Sequence, residues 1–320
     1  MITLMIARDT FKNYKLLLQC LIPIIFFFLG LSIIYLFDCF EFDTDEGINL
    51  MKAFLLNNGY QLYREIWNDQ PPLLTHILAS SFNIFEPSVN LSRSVVLLFS
   101  TILLWQIWII LYLFGGIIHA FVGSLFLIIS PHYLRLSISV MIGLPSLTLA
   151  MGAISTIILW HSTQKTRWLI FSALLLSMSI LIKFFTFFLA PIIVLGIFLD
   201  RVFDNKIKRI NWKKSLQLPI LWTAIFACST LLLLAFLVGY NHLYLLIDNH
   251  TSARAITAFQ NISLNSSIKY SYGLFLCCLT FLGIVIACLR KQWKIIYFAA
   301  WLLTAFLLFL QHRPVIIDEN

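Results

Sequence analysis

Apolar residues in this chain come in runs too long for a soluble core. The first, from Leu16 to Phe37, carries no charged residue. An α-helix needs about 20 mostly apolar residues to cross a bilayer, and a run of about 18 or more reads as a span. Nine candidate spans follow, at about 16–37, 93–113, 115–130, 140–160, 168–182, 184–199, 217–239, 272–289 and 295–310. Of all residues 60% are hydrophobic and 11% charged, against roughly 25% charged in a soluble domain. A membrane barrel would alternate polarity over strands of about 10 residues, and no such alternation appears. The expected fold is an all-α polytopic membrane protein, with residues 1–320 forming one transmembrane domain.

Net charge is +8. In a soluble chain this would suggest nucleic acid; here the partner it implies is a lipid bilayer, because Lys and Arg collect in cytoplasmic loops. Basic clusters stand at Arg8, Lys12 and Lys15, at Lys165 and Arg167, at Arg201 through Lys214, and at Arg290 through Lys294. Placed inside, these hold 14 of the 22 Lys and Arg, while 11 of the 14 Asp and Glu fall outside. The expectation is a cytoplasmic N-terminus, with loops 38–92 and 240–271 on the external side of a plasma or inner membrane. The first run exceeds the roughly 7–15 residues of a signal-peptide core and lacks a small-residue cleavage site, so it reads as a retained span. A single helix over 168–199 would bury Lys183 near its centre. That costs roughly 2.5–3.5 kcal/mol, so two spans with Lys183 at an outer turn are expected.

The six cysteines form no CxxC pair, so neither a zinc site nor a disulfide framework is indicated.

The unusual segment is 43–75, DTDEGINLMKAFLLNNGYQLYREIWNDQPPLLT. Five of the 14 acidic residues gather there: Asp43, Asp45, Glu46, Glu65 and Asp69. Asp43, followed three residues later by Glu46, predicts a capped helix over about 44–57 that stops at Gly59. At helical spacing Asp45, Asn49 and Lys52 share one face, opposite Leu50, Met51 and Phe54. Pro71 and Pro72 predict a second helix over about 72–85. Both helices are too short to span and are expected to lie along the outer membrane surface. Acidic residues at helix starts contribute about 0.3–1 kcal/mol as partners of the helix dipole, so capping and catalysis are competing readings of Asp45 and Asp69.

This loop resembles the first outer loop of GT-C membrane glycosyltransferases. The bacterial branch similar to dolichyl-phosphate-mannose–protein mannosyltransferases and the lipid A aminoarabinose transferase is the nearest in pattern. Asp45–Glu46 match the acidic pair that opens a juxtamembrane helix in that family, and Asp69 with Pro71–Pro72 matches the second carboxylate ahead of a Pro-rich helix start. The segment QHRPVIIDEN at the end of the sequence resembles a His-Arg-Pro element of the same branch. Two departures stand out. Gly143 occupies a region where relatives often carry another acid. Relatives are also longer, so their C-terminal part, which shapes the donor site, is expected to be missing here.

The resemblance implies inverting transfer of a sugar from a polyprenyl-phosphate donor to a glycan, lipid or protein acceptor at the external face. It implies Asp45 as general base, paired with Glu46, and Lys52, His312 and Arg313 on the donor phosphate. Asp69 is then the candidate ligand for a divalent metal ion. Two other readings remain: a flippase or transporter of lipid-linked sugars, and an inactive truncated transferase.

Overall fold

The computed structural model describes residues 2–202 apart from 38–39, 41 and 44, residues 212–256, and short pieces of 281–289. Eleven α-helices are assigned in the described residues. They are α1 (Ile2–Leu36), α2 (Glu46–Asn57), α3 (Leu73–Ile84), α4 (Val89–Gly115), α5 (Ile117–Ile129) and α6 (Pro131–Ser137). Next come α7 (Gly143–Thr163), α8 (Arg167–Ile180), α9 (Leu189–Val202), α10 (Trp212–Val238) and α11 (Leu243–Ile256). No strand occurs among the described residues beyond an isolated bridge between Leu62 and Ile66. The all-helical expectation holds.

The described residues cover only part of the nine expected spans. Among the described residues, five helical segments are long and apolar enough to cross a membrane: Gln19–Leu36, Val89–Leu113, Gly143–Thr163, Phe184–Val202 and Ser215–Val238. A sixth is formed only if α5 and α6, which meet at 73°, count as one broken span. Pro131 stands at the first position of α6, where its missing N–H breaks the run from α5. The expected span at 168–182 is the 14-residue α8. At 1.5 Å per residue it reaches roughly 21 Å, short of a hydrocarbon core of about 30 Å. The expected spans 272–289 and 295–310 lie largely outside the described residues.

The chain divides into two compact units. The first comprises Met1–Thr186 with Ala224–Leu246, and holds α1 through α8, the second half of α10 and the start of α11. The second comprises Phe187–Thr223 with Ile247–Asn320, and includes α9.

Within the first unit, small polar side chains join the helices. Ser146 of α7 and Ser179 of α8 each donate to the other's carbonyl, at 3.1 and 2.7 Å. Ser177 lies 2.6 Å from Ser229 of α10. In an apolar surround a hydroxyl has no water to turn to, so such pairs fix helix register at close approach. They hold the end of α8, which stops at Ile180. The chain then turns through Leu181, Ile182 and Lys183 into a 3-10 helix, Phe184–Phe188. Lys183 thus sits at a break between helices, as the sequence predicts.

The two loop helices are present at slightly different bounds. Helix α2 begins at Glu46, with Asp45 at its N-cap. Asp43 does not act as the side-chain cap. Its carboxylate pairs instead with Arg135 at 3.3 Å, while Glu46 reaches back to accept from the Phe42 N–H at 3.0 Å. The stop at Gly59 is as expected. Gly59 adopts φ +91°, and the Gly59 and Tyr60 N–H groups return to the carbonyls of Leu56 and Leu55 at 3.1 and 3.2 Å. This is the pairing of a Schellman turn, in which glycine avoids the strain of a positive φ.

Helix α2 wears its polarity inside out. Ile48, Met51 and Phe54 are exposed, whereas Glu46, Lys52 and Ala53 are buried. Ala53 packs in a cluster with Leu73, Leu74, Leu78 and Phe82 of α3, Val96, Val140, Leu181 and Ile182. The Leu73 N–H donates to the Leu181 carbonyl at 2.8 Å, so the start of α3 is pinned to the break after α8.

Candidate active site

Asp45 and Glu46 are adjacent in sequence and opposite in environment. The Glu46 side chain is 1% exposed and takes a bidentate pair from Arg93 of α4, with Nε–Oε1 and Nη2–Oε2 both 2.8 Å. The Val140 N–H donates to Oε1 at 3.0 Å, and the Phe42 N–H to Oε2. The ring of Phe42 lies 4.5 Å from the guanidinium. A carboxylate with four donors is saturated. Its chemistry is spent on tying α2, α4 and the Val140 segment together.

Asp45 is exposed. Its backbone is helical, with φ −85° and ψ −4°, and its side chain makes no capping bond. The capping reading therefore has no hydrogen bond to rest on. Two lysines feel the charge of this carboxylate, Lys52 and Lys183.

About two turns beyond Asp45 along α2, Lys52 enters a second polar cluster. Its Nζ donates to Asn68 Oδ1 at 2.9 Å and pairs with Asp69 Oδ1 at 3.4 Å, under the Trp67 ring at 5.4 Å. Burial pulls the Lys52 pKa down from its ordinary value, and the charges of Asp69 and then Asp45 pull it back. The 60–72 loop is built around this cation. The Tyr63 hydroxyl and the Asn68 amide both donate to the Gln70 carbonyl, at 2.7 Å each. Tyr63 stands at φ +72°, a left-handed conformation that a bulky residue adopts only when its surroundings impose it. Burial raises the Tyr63 phenol far above its usual range, so it stays a neutral donor.

Asp69 as a metal ligand does not fit this arrangement. Oδ1 faces the Lys52 ammonium, and Oδ2 accepts from the Gln70 amide at 2.7 Å. Among the described residues no three His, Cys, Asp or Glu side chains gather where a metal ion could be held. A divalent cation needs several oxygen ligands turned toward it, and here each Asp69 oxygen faces an N–H donor instead. His312 and Arg313 lie outside the described residues.

Asn49 donates to the Val140 carbonyl at 2.9 Å, so Asn49 and Lys52 of the face predicted from spacing turn toward the protein, while Asp45 at its start is exposed. The importance of Asn68, Arg93 and Lys183 was not visible in the loop pattern. Arg93 carried one usable signal: it is a lone charge at the start of an apolar run, and such a charge needs a partner.

The family model described as dolichyl-phosphate-mannose-protein mannosyltransferase matches residues 69–234, just over half of the chain. The chain belongs to that family. The match begins at Asp69 and takes in Arg93, Val140 and Lys183, while Asp45, Glu46 and Lys52 precede it. It makes the protein a membrane glycosyltransferase-family member of the GT-C type. No curated protein shows significant similarity to the chain.

Proposed function

We propose that the protein transfers a sugar from a polyprenyl-phosphate donor to an acceptor hydroxyl at the external membrane face, with Asp45 as general base. The observation that carries this reading is the contrast between neighbouring carboxylates. Glu46 is buried and saturated by Arg93 and two backbone N–H groups, and it positions its neighbour. Asp45 is exposed, makes no cap bond and lies within electrostatic reach of two cations. A base must be reachable by the proton it takes, and Asp45 meets that condition where Glu46 does not.

The acceptor oxygen bonds to the anomeric carbon as the bond from that carbon to the phosphate oxygen breaks. The acceptor proton passes to Asp45. The bonding electrons leave with the phosphate, and attack opposite the leaving group inverts the anomeric centre. Lys52 adds positive charge beside Asp45, and His312 and Arg313 are proposed on the phosphate side. Asp69 holds Lys52 in place, and no step passes through a metal. The apolar outer face of α2 supports a position at the membrane surface, where a lipid-borne donor and an aqueous acceptor meet.

Asp45→Asn tests the assignment. The variant keeps shape and loses basicity, and losing a positioned base lowers rates by about 10²–10⁴-fold. Transfer of labelled sugar from a panel of polyprenyl-phosphate donors would be measured in membranes with matched protein levels. A folded, nearly inactive variant is expected. Retention of wild-type activity would remove Asp45 from the mechanism.

A further inference from the structure

Lys183 entered as a question of topology: a charge that could not sit mid-membrane. The structure gives it a location with chemical meaning. It follows Leu181 and Ile182, both fully buried, which pack in one cluster with Ala53 of α2, Leu73 of α3 and Val140. Its own N–H returns to the Ser179 carbonyl at 3.0 Å, and Ser179 is locked to Ser146 and to Thr186. The Leu73–Leu181 bond joins this turn to the segment that carries Asp69. The backbone of Lys183 is therefore held from three sides, against the same helix that bears Asp45 and Lys52.

Its side chain is a different matter. The ammonium has no hydrogen-bond or ion-pair partner among the described residues, and the residue is exposed. Desolvation draws its pKa below the ordinary lysine value, and the charge of Asp45 pulls it back. Lys52, by contrast, is committed to Asn68, Asp69 and the Trp67 ring. A cation already paired offers little more to a second anion, while one on a rigid anchor with no counter-ion bonded to it is left to receive one. Two phenylalanines, Phe184 and Phe185, follow directly, so an apolar chain attached to the anion has side chains to lie against.

We propose that Lys183 is the cation that receives the phosphate of the carrier lipid. The inference rests on the sugar-transfer reading for its ligand, a phosphate monoester or diester on a long apolar chain. As the anomeric carbon–oxygen bond breaks and its electrons pass to the phosphate oxygen, the Lys183 ammonium faces the charge that builds there, across the anomeric centre from Asp45.

The test uses the full chain in lipid nanodiscs, with competition binding of three probes: polyprenyl phosphate, the matching uncharged polyprenol and inorganic phosphate. Lys183→Gln is expected to weaken polyprenyl phosphate binding on the order of tenfold, the effect of losing one charge-assisted hydrogen bond. Polyprenol binding should be unchanged, and Lys183→Arg should restore most of the phosphate preference. Inorganic phosphate should compete weakly, because it lacks the chain. Equal binding of polyprenyl phosphate by wild type and Lys183→Gln overturns the proposal. So does a parallel loss of polyprenol, which would make Lys183 a structural anchor, or competition by inorganic phosphate as strong as by the lipid. A wild type with no preference for polyprenyl phosphate over polyprenol overturns it too. In the transfer assay, Lys183→Gln should raise KM for the donor and lower kcat. Unchanged kinetics there would remove Lys183 and leave the transferase intact. Lys183-dependent phosphate binding without any transfer would instead remove the transferase reading and leave the lipid-phosphate site.

Discussion

Two ion pairs tie α2 into the molecule, and they are built to different standards. Arg93–Glu46 is bidentate at 2.8 Å with side chains 2% and 1% exposed. Lys52–Asp69 is a single contact at 3.4 Å with side chains 9% and 26% exposed. The first has every oxygen satisfied by donors from three different segments. The second is a compact charge shared among a carboxylate, an amide and an aromatic face. A planar guanidinium fixes direction as well as charge, whereas an ammonium on a flexible stem fixes charge alone. The rigid pair sets where Asp45 stands. The looser one keeps positive charge beside it while leaving Asp69 partly open to solvent.

The sharpest way to break this contrast is to remove one partner from each pair. Arg93→Met leaves Glu46 buried without its counter-ion, a change that costs about 3–5 kcal/mol in comparable cases. Thermal unfolding in detergent should show a large loss, or the variant should fail to accumulate. Adding Glu46→Met should recover part of it. The remainder belongs to the Val140 and Phe42 N–H groups left without an acceptor. Lys52→Met should cost less, about 1–2 kcal/mol, because Asp69 can turn to water. If Lys52→Met proves the more damaging, the assignment of scaffold and working pair is reversed. Smaller again is Trp67→Ala, at about 0.5–1 kcal/mol for a half-exposed cation–π contact, read from the same melts.

The smallest effect is one of sign. Burial holds the Lys52 pKa below its ordinary 10.5 in the folded protein. Between the folded and unfolded values the unfolded chain binds the extra proton, so stability from this group rises with pH across that window. Subtracting the Lys52→Met melting curve from that of the wild type should reveal an upward slope toward alkaline pH. A downward slope would mean that Asp69 outweighs desolvation.

What could be read from sequence was local. Gly59 marked the helix stop, because only a residue tolerant of positive φ suits that turn. The spacing of Asp45, Asn49 and Lys52 placed them on one face, and Asn49 and Lys52 do turn inward, while Asp45 at its start is exposed. Lys183 reported a helix break because charge and hydrocarbon do not mix. What stayed hidden was pairing across distance. Nothing at Glu46 names Arg93, 47 positions on, and nothing at Lys52 favours Asn68 over Asp69. The start of α2 was misplaced for the same reason. Asp43 looked like a cap until Arg135, from a distant helix, claimed it. Among the described residues, the expected span 115–130 ends at a bend before Pro131, and the expected span 168–182 is the short α8.

The inverted polarity of α2 has a consequence for how the site comes into being. A helix that turns its charges inward and shows Ile48, Met51 and Phe54 to its surroundings has no stable resting place in water. In lipid the same arrangement is favoured on both sides at once. The bilayer thus acts as a missing wall around α2, and assembly of this corner and insertion of the chain become one event. A preparation stripped of amphiphile should lose this corner of the protein first, while the serine-joined helices behind it persist.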